Sequence, residues 1–276
     1  MAPDRVPGEP VSLKQFFRLS ELVAELRRKP RQHELLFYLL LAGLVMVCYV
    51  YLIRPLVNRD LIVWLGLDRV LPGDLPFAAL RFGFAFLLLG CLPLLVSVCF
   101  GGGFGTLGLR RTALHSRLRG IWAVLPLAAA AGLVAAYRGD LYAFYPYSRT
   151  LLSLTSEHGL WVFLPYALCY AVFYYLPWEL FFRGFLIFPF LRLAEYGPEE
   201  RRRTALLVIV GFQALPSALL HFGHPLAEAL GAVPFGLFLG YLALKSGSII
   251  PGLIFHVLVG LSLDFFVVLR HVGVLP

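Results

Sequence analysis

Long apolar runs separated by charged residues are the feature that most constrains how this chain can fold. Windows of about 20 apolar residues, the length that crosses a bilayer, predict spans near residues 35–53, 76–99, 120–137, 160–191, 204–221, 227–244 and 248–269. Only 14% of the 276 residues are charged, against about 25% in an ordinary soluble domain. The sequence therefore predicts an all-α polytopic membrane protein with about seven transmembrane helices.

The distribution of basic residues predicts how these spans are oriented. Sixteen lysines and arginines fall at the N-terminus and in the loops on the same side of the membrane, and six fall in the loops on the other side. Cytoplasmic loops carry an excess of basic residues, so we expect a cytoplasmic N-terminus in the cell (inner) membrane. The net charge of +8 is explained in this way, and no nucleic-acid partner is expected.

The chain is predicted to consist of two parts. Residues 1–33 form a cytoplasmic or interfacial segment, in which apolar side chains of residues 12–29 lie on one helical stripe beside basic ones. This segment is predicted either to lie on the bilayer surface or to pack against another cytoplasmic element. Residues 34–276 are predicted to form a single transmembrane domain without internal repeats.

Ionisable side chains are concentrated in the later spans, where each costs at least about 2.5–3.5 kcal/mol to insert. Glu179 and Arg183 are one helical turn apart and can pair on one face. The other such residues are His221 and His224, which end the fifth span, and His256 and Asp264, which lie inside the last. This pattern predicts a polar cavity that activates water, with a structural polar network, a transport pathway or a metal site as alternatives.

The order and spacing of these residues resemble a known family. Glu179-x-x-x-Arg183-Gly184 is followed by His221-Phe222-Gly223, then by a glycine-containing stretch at 240–251, and finally by His256. This combination is similar to the CPBP family of intramembrane endopeptidases, which includes CAAX prenyl proteases and bacteriocin-processing proteins. The likeness covers about residues 160–266, which we take as the protease-like core.

The resemblance implies a function and a set of residues. In this family a glutamate and histidines activate a water that cleaves a peptide bond near a membrane-anchored or lipid-linked end. Carried over by position, Glu179, Arg183, His221 and His256 form the catalytic set. His224 and Asp264 are possible accessory residues, and the implied partner is a membrane-anchored protein or peptide. No cofactor is expected, although a zinc site built from the histidines and a carboxylate is an alternative.

Three positions depart from the family pattern. Trp178 replaces the first glutamate of the motif, Ser217 replaces a phenylalanine, and Gly260 replaces an asparagine or aspartate. The loss of the first glutamate makes a catalytically degenerate binding or scaffold protein the alternative function. Asp264 is a candidate replacement for the residue missing at 260, although it lies some 80° from His256 around an ideal helix.

Simple helix geometry raises a further difficulty for this site. Measured along straight helices from the cytoplasmic ends, His256 lies at ~10 Å, Glu179 at ~18 Å and His221 at ~25 Å. The three residues are therefore expected at different depths.

Two other polar residues are expected to have structural roles only. Glu228 is expected only to suit a helix N-terminus, and Arg81 is expected to reach towards the outer interface or to pair with Asp74.

Overall fold

The computed structural model describes residues 30–110, 121–194 and 198–276. These residues form helices and connecting turns, and no strand occurs among them. The predicted all-α fold is therefore confirmed. The predicted amphipathic stripe at 12–29 lies outside the described residues, as do the basic residues at 111–119 that contributed to the orientation.

Seven long helical segments, labelled α1 to α7, run through the described residues. They are α1 (Pro30–Val47, then Cys48–Leu52 and Ile53–Leu56), α2 (Leu75–Ala85, Phe86–Cys91 and Leu92–Cys99), α3 (Ile121–Ala136), α4 (Leu160–Val162, Phe163–Tyr170, Ala171–Tyr175, Leu176–Glu179, Leu180–Phe185 and Phe188–Ala194), α5 (Glu199–Leu219), α6 (Leu226–Ser246) and α7 (Ile250–His271). Shorter helices occupy Arg59–Trp64, Leu67–Arg69, Phe104–Leu107, Gly139–Phe144 and Thr150–His158.

Five of these segments are long and apolar enough to cross a membrane, judged by length and composition. They are α1, α2, α4, α6 and α7. Helix α3 is apolar but shorter, over Leu125–Ala136, and α5 begins with two glutamates and three arginines. The chain is an all-α polytopic membrane protein, while crossings by α3 and α5 remain predictions.

The chain divides into two compact units, Met1–Leu41 and Ala42–Pro276. The described residues of the first unit, 30–41, are helical. All contacts given below lie within the second unit.

Helix α4 is not a uniform α-helix. Two π-helical turns, Ala171–Tyr175 and Leu180–Phe185, flank the short α-helical stretch Leu176–Glu179. A π-turn takes more residues than an α-turn, so it rotates the side chains that follow and changes their height. The straight-helix heights expected from the sequence therefore do not apply to Glu179.

Small residues allow neighbouring helices to approach closely. A Cβ at Gly132 of α3 would overlap Ser262 of α7, and the Ser262 hydroxyl donates to the carbonyl oxygen of Ala128 at 2.8 Å. On α5, the Gln213 amide donates to the carbonyl oxygen of Gly236 on α6 at 2.9 Å. Small residues and interhelical hydrogen bonds of this kind stabilise helix packing in membranes.

A polar clasp joins the start of α2 to the segment before the helix Thr150–His158. The Asp74 carboxylate accepts hydrogen bonds from the Ser148 hydroxyl, from the Arg149 N–H at 2.8 Å and from the Thr150 N–H at 3.1 Å. In return the Thr150 hydroxyl accepts from the Asp74 N–H at 2.9 Å. The carboxylate therefore caps the N-terminus of one helix from the start of another.

Candidate active site

A buried ion pair lies in the second half of α4. The Arg183 guanidinium is 3.0 Å from the Glu179 carboxylate, and the two side chains are only 1% and 0% exposed. Their spacing of four residues places them on one helical face, as the sequence predicts. The next residue is Gly184. A Cβ at this position would lie 2.8 Å from the Leu107 carbonyl oxygen, so a larger residue does not fit there.

The same carboxylate holds His256 of α7. The Nδ1 of His256 lies 2.7 Å from Oε1 of Glu179. An ionised carboxylate only accepts hydrogen bonds, so Nδ1 carries the proton and Nε2 keeps its lone pair. The ring also packs edge-on against Tyr175, with 4.8 Å between the ring centres. Glu179 and Tyr175 together fix the orientation of this imidazole.

A cavity of about 640 Å³ lies beside this pair. Its polar lining includes three imidazoles, those of His221, His224 and His256, and one carboxylate, that of Glu228. Much of the remaining wall is aromatic: Tyr49, Tyr147, Tyr170, Tyr174, Tyr175 and Trp178. Glu179 does not line the cavity itself, but His256, to which it is hydrogen-bonded, does.

Glu228 organises the two other histidines. The Nδ1 of His224 donates to its Oε1 at 2.9 Å, and the Nε2 of His221 lies 3.8 Å from the same oxygen. The His221 Nδ1 donates to the backbone carbonyl of Ser217 at 2.8 Å, so its Nε2 is an acceptor. Two acceptors 3.8 Å apart cannot bond directly, and a water between them can donate to both.

Tyr145 lies next to this group. Burial and the negative charge of the neighbouring Glu228 raise the pKa of Tyr145 above its ordinary value of 10.0. The side chain therefore remains a neutral hydroxyl beside the carboxylate. It adds a polar group to the cavity without adding charge.

The comparison with known families concerns the segment that contains these residues. Residues 159–262 match the type II CAAX prenyl endopeptidase Rce1-like family. The match confirms the resemblance found in the motifs and is consistent with the CPBP endopeptidases. Comparison of the chain with curated proteins and with solved structures gives no match.

The Rce1-like segment contains five of the six residues expected at the site. His221, His224 and His256 line one cavity, and Glu179 with Arg183 lies directly behind His256. Asp264 falls just beyond the segment and is fully buried, where its Oδ2 accepts from the Tyr166 hydroxyl at 2.8 Å. It does not line the cavity.

The structure gives physical reasons for two of the departures from the family motifs. Trp178, in place of the first glutamate, lines the cavity and meets the His221 ring edge-on, with 5.9 Å between ring centres. At position 260 a Cβ would overlap the Tyr175 hydroxyl. A tyrosine from α4 thus occupies the space into which a side chain at 260 would extend. The third departure, Ser217, provides the backbone carbonyl that binds His221.

Two residues of the cavity have contacts that the sequence analysis did not anticipate. Glu228 lies among histidines instead of acting only at a helix N-terminus, and its spacing of four residues from His224 is the signal that could have revealed this. Arg81 does not pair with Asp74. Its guanidinium donates to the Tyr147 hydroxyl at 3.4 Å.

The zinc alternative has little geometric support from the described residues. Among residues 30–110, 121–194 and 198–276, no group of three or more His, Cys, Asp and Glu side chains is arranged to hold a metal ion. His221 and His224 do share a carboxylate, but His256 is bound to a different one. A bound metal therefore stays an alternative hypothesis.

Proposed function

We propose that this chain is an intramembrane endopeptidase that cleaves a membrane-anchored protein or peptide by adding water to a peptide carbonyl. The observation that carries the proposal is the convergence of Glu228 with three histidines on one cavity within an Rce1-like segment. A carboxylate and neutral imidazoles in a partly apolar cavity have the acceptors needed to activate water.

The attacking water is placed between Nε2 of His221 and Oε1 of Glu228. One of these two acceptors takes a proton from the water as the water oxygen forms a bond to the carbonyl carbon of the substrate. When the C–N bond breaks, that proton passes to the leaving nitrogen, so the products are a carboxyl group and an amine. Glu228 thus supplies the carboxylate that Trp178 cannot supply.

Glu179 and Arg183 do not contact the substrate, and they act through His256. Glu179 holds His256 by Nδ1, which leaves Nε2 available to exchange a proton with the reacting groups. A carboxylate behind an imidazole stabilises the imidazolium formed during such an exchange. Arg183 pairs with Glu179 and holds it in place, so both are positioning residues in this mechanism.

Substitution of Glu228 tests the mechanism. We expect Glu228→Gln to lower cleavage about 10²–10⁴-fold, because it removes a general base, while the amount of protein in the membrane stays unchanged. The assay uses purified protein in vesicles and a pool of N-palmitoylated peptides with randomised C-terminal residues, with products identified by mass spectrometry. Glu157→Gln, which changes an exposed carboxylate, is the matched control.

The outcomes of this assay distinguish the candidate functions. Full activity of Glu228→Gln would show that Glu228 is not the base. His256→Ala and Glu179→Gln are expected to lose cleavage as well, and retention of activity by both would reject the His256 step. If the wild-type protein binds the peptides without cleaving them, the chain is instead a catalytically degenerate binding protein. The presence of Trp178 at the first motif position favours this alternative.

We also propose the inner membrane as the location, with a cytoplasmic N-terminus. The cavity is lined by residues at helix ends and loops on the side predicted to face away from the cytoplasm, including Arg54, Tyr145, Phe222 and His224. The membrane-anchored substrate would therefore present its cleaved segment on the non-cytoplasmic side.

A further inference from the structure

Arg81 is a cation of the cavity that has no counter-ion among the described residues. It lies six residues beyond the start of α2, about 9 Å along the helix axis. It lines the cavity together with Arg54. Its polar contact is the Tyr147 hydroxyl at 3.4 Å, and its guanidinium carbon lies 5.6 Å from the centre of the Tyr147 ring.

The carboxylates around the cavity already have other partners. Glu228 binds His224, and Glu179 binds Arg183 and His256. Asp74, which precedes α2, is committed to the clasp with Ser148 and its neighbours. Within the described part of the chain, Arg81 therefore forms no ion pair. The Arg81 side chain is exposed, and it lies within a predicted span, where an ionisable group ordinarily pairs with an opposite charge or marks a functional site.

We propose that Arg81 binds the terminal carboxylate of the peptide substrate. This inference rests on the proposed peptidase function and specifies its substrate class. A guanidinium binds a carboxylate through two parallel hydrogen bonds, and a peptide that ends inside the cavity always carries such a group. The volume of about 640 Å³ is that of a site for a small ligand. A short C-terminal tail fits within this volume.

Paired substrates test this assignment. Two pools of N-palmitoylated peptides are compared, identical except that one ends in a free carboxylate and the other in an amide. We expect the wild-type protein to cleave the free acids at least about tenfold more efficiently, since hydrogen bonds between charged groups contribute about 1.5–3 kcal/mol. The difference should lie in KM, because Arg81 is assigned to binding.

Arg81→Gln should remove the preference itself. Cleavage of the free acids falls about tenfold, while cleavage of the amides stays unchanged. Arg81→Lys keeps the positive charge and should retain part of the preference. Arg138→Gln is the matched control, because Arg138 is exposed, binds Asp140 and does not line the cavity.

Each alternative outcome has a distinct meaning. If the wild-type protein cleaves acids and amides equally, or if Arg81→Gln lowers both equally, the inference is wrong while the peptidase function stands. If the wild-type protein cleaves neither pool, the peptidase proposal fails. Equilibrium binding of the two pools then decides whether Arg81 recognises the carboxylate.

A lipid headgroup is the competing occupant. Wild-type protein in phosphatidylcholine vesicles is compared with protein in vesicles that also contain phosphatidylglycerol. If the anionic lipid abolishes the preference for free acids in the wild type, and Arg81→Gln is insensitive to that lipid, Arg81 is a lipid site. An unchanged preference in both vesicles supports the carboxylate.

Discussion

Glu179 sits fully buried between a guanidinium and an imidazole. Removal of one member of a buried ion pair leaves an uncompensated charge and typically costs about 3–5 kcal/mol. We expect Arg183→Leu to lower the amount of folded protein strongly, measured as membrane-inserted protein and as thermal stability in detergent. The double variant Glu179→Gln/Arg183→Leu should recover much of the loss, because no buried charge then remains.

The exposed Arg138 provides the control for this comparison. Arg138→Leu alters a surface ion pair, and such changes are usually worth little. If Arg183→Leu is as stable as Arg138→Leu, Glu179 is not ionised in the folded protein. That result would also remove the basis for Glu179 as the group that stabilises a charged His256.

The contacts of single residues were predictable where they are local in sequence. The spacing of Glu179 and Arg183 predicts their pairing directly. The contact of Glu228 with His221 depends on the chain reversal between α5 and α6, and the filling of the space at Gly260 depends on how α4 packs against α7. These contacts come from tertiary packing, which the spacing of residues along one helix does not encode.

At the scale of structural elements, the Asp74 clasp links two helices through a carboxylate. Burial alone raises the pKa of Asp74, but hydrogen bonds from Ser148, Thr150 and the Arg149 N–H outweigh it and hold the pKa below the ordinary value of 3.8. The folded protein therefore binds this proton more weakly than the unfolded chain does. The clasp stabilises the fold at neutral pH, and its contribution is lost as the pH falls below about 4.

Asp74→Asn tests the clasp. At pH 7 we expect a loss of about 1 kcal/mol, the usual value of a helix cap, measured by thermal unfolding in detergent. The difference from the wild-type protein should shrink as the pH falls below about 4, because Asp74 binds its proton more tightly in the unfolded chain and protonation there favours unfolding. Asp140→Asn is the control, because Asp140 is an exposed partner of Arg138. A difference that does not change with pH would contradict the role of the charge.

Helices were more predictable than their irregularities. Runs of apolar residues identify α1, α2, α4, α6 and α7, because bilayer thickness sets the length of a span. The π-helical turns of α4 leave no comparable pattern in the sequence. The contact of His256 with Glu179, which straight helices place at different heights, is likewise not visible in the sequence.

At the scale of the whole molecule, the orientation in the membrane determines which side supplies substrates. Phe222 and Phe104 are exposed and lie at opposite ends of the predicted topology. We expect a membrane-impermeant maleimide to label Phe222→Cys on intact cells, and Phe104→Cys only after permeabilisation. The four natural cysteines, Cys48, Cys91, Cys99 and Cys169, are first replaced by serine.

Labelling without either introduced cysteine gives the background for this experiment. The reverse pattern would place the cavity on the cytoplasmic side and overturn the proposed orientation.

Counting basic residues can predict a membrane topology because the topology depends on the total positive charge in the loops. The inward arrangement of side chains around the cavity is a property of the packed bundle, and the sequence indicates only which polar residues need a shared environment.

The position of Trp178 gives the cavity an intrinsic optical signal. Its indole is 4% exposed and lies edge-on to His221, whereas Trp64 and Trp161 are 79% and 69% exposed. Because the two rings are in contact, protonation of the His221 imidazole should quench the emission of Trp178. Entry of a peptide would alter this emission before any bond is cut, so occupancy can be followed in real time without an attached dye.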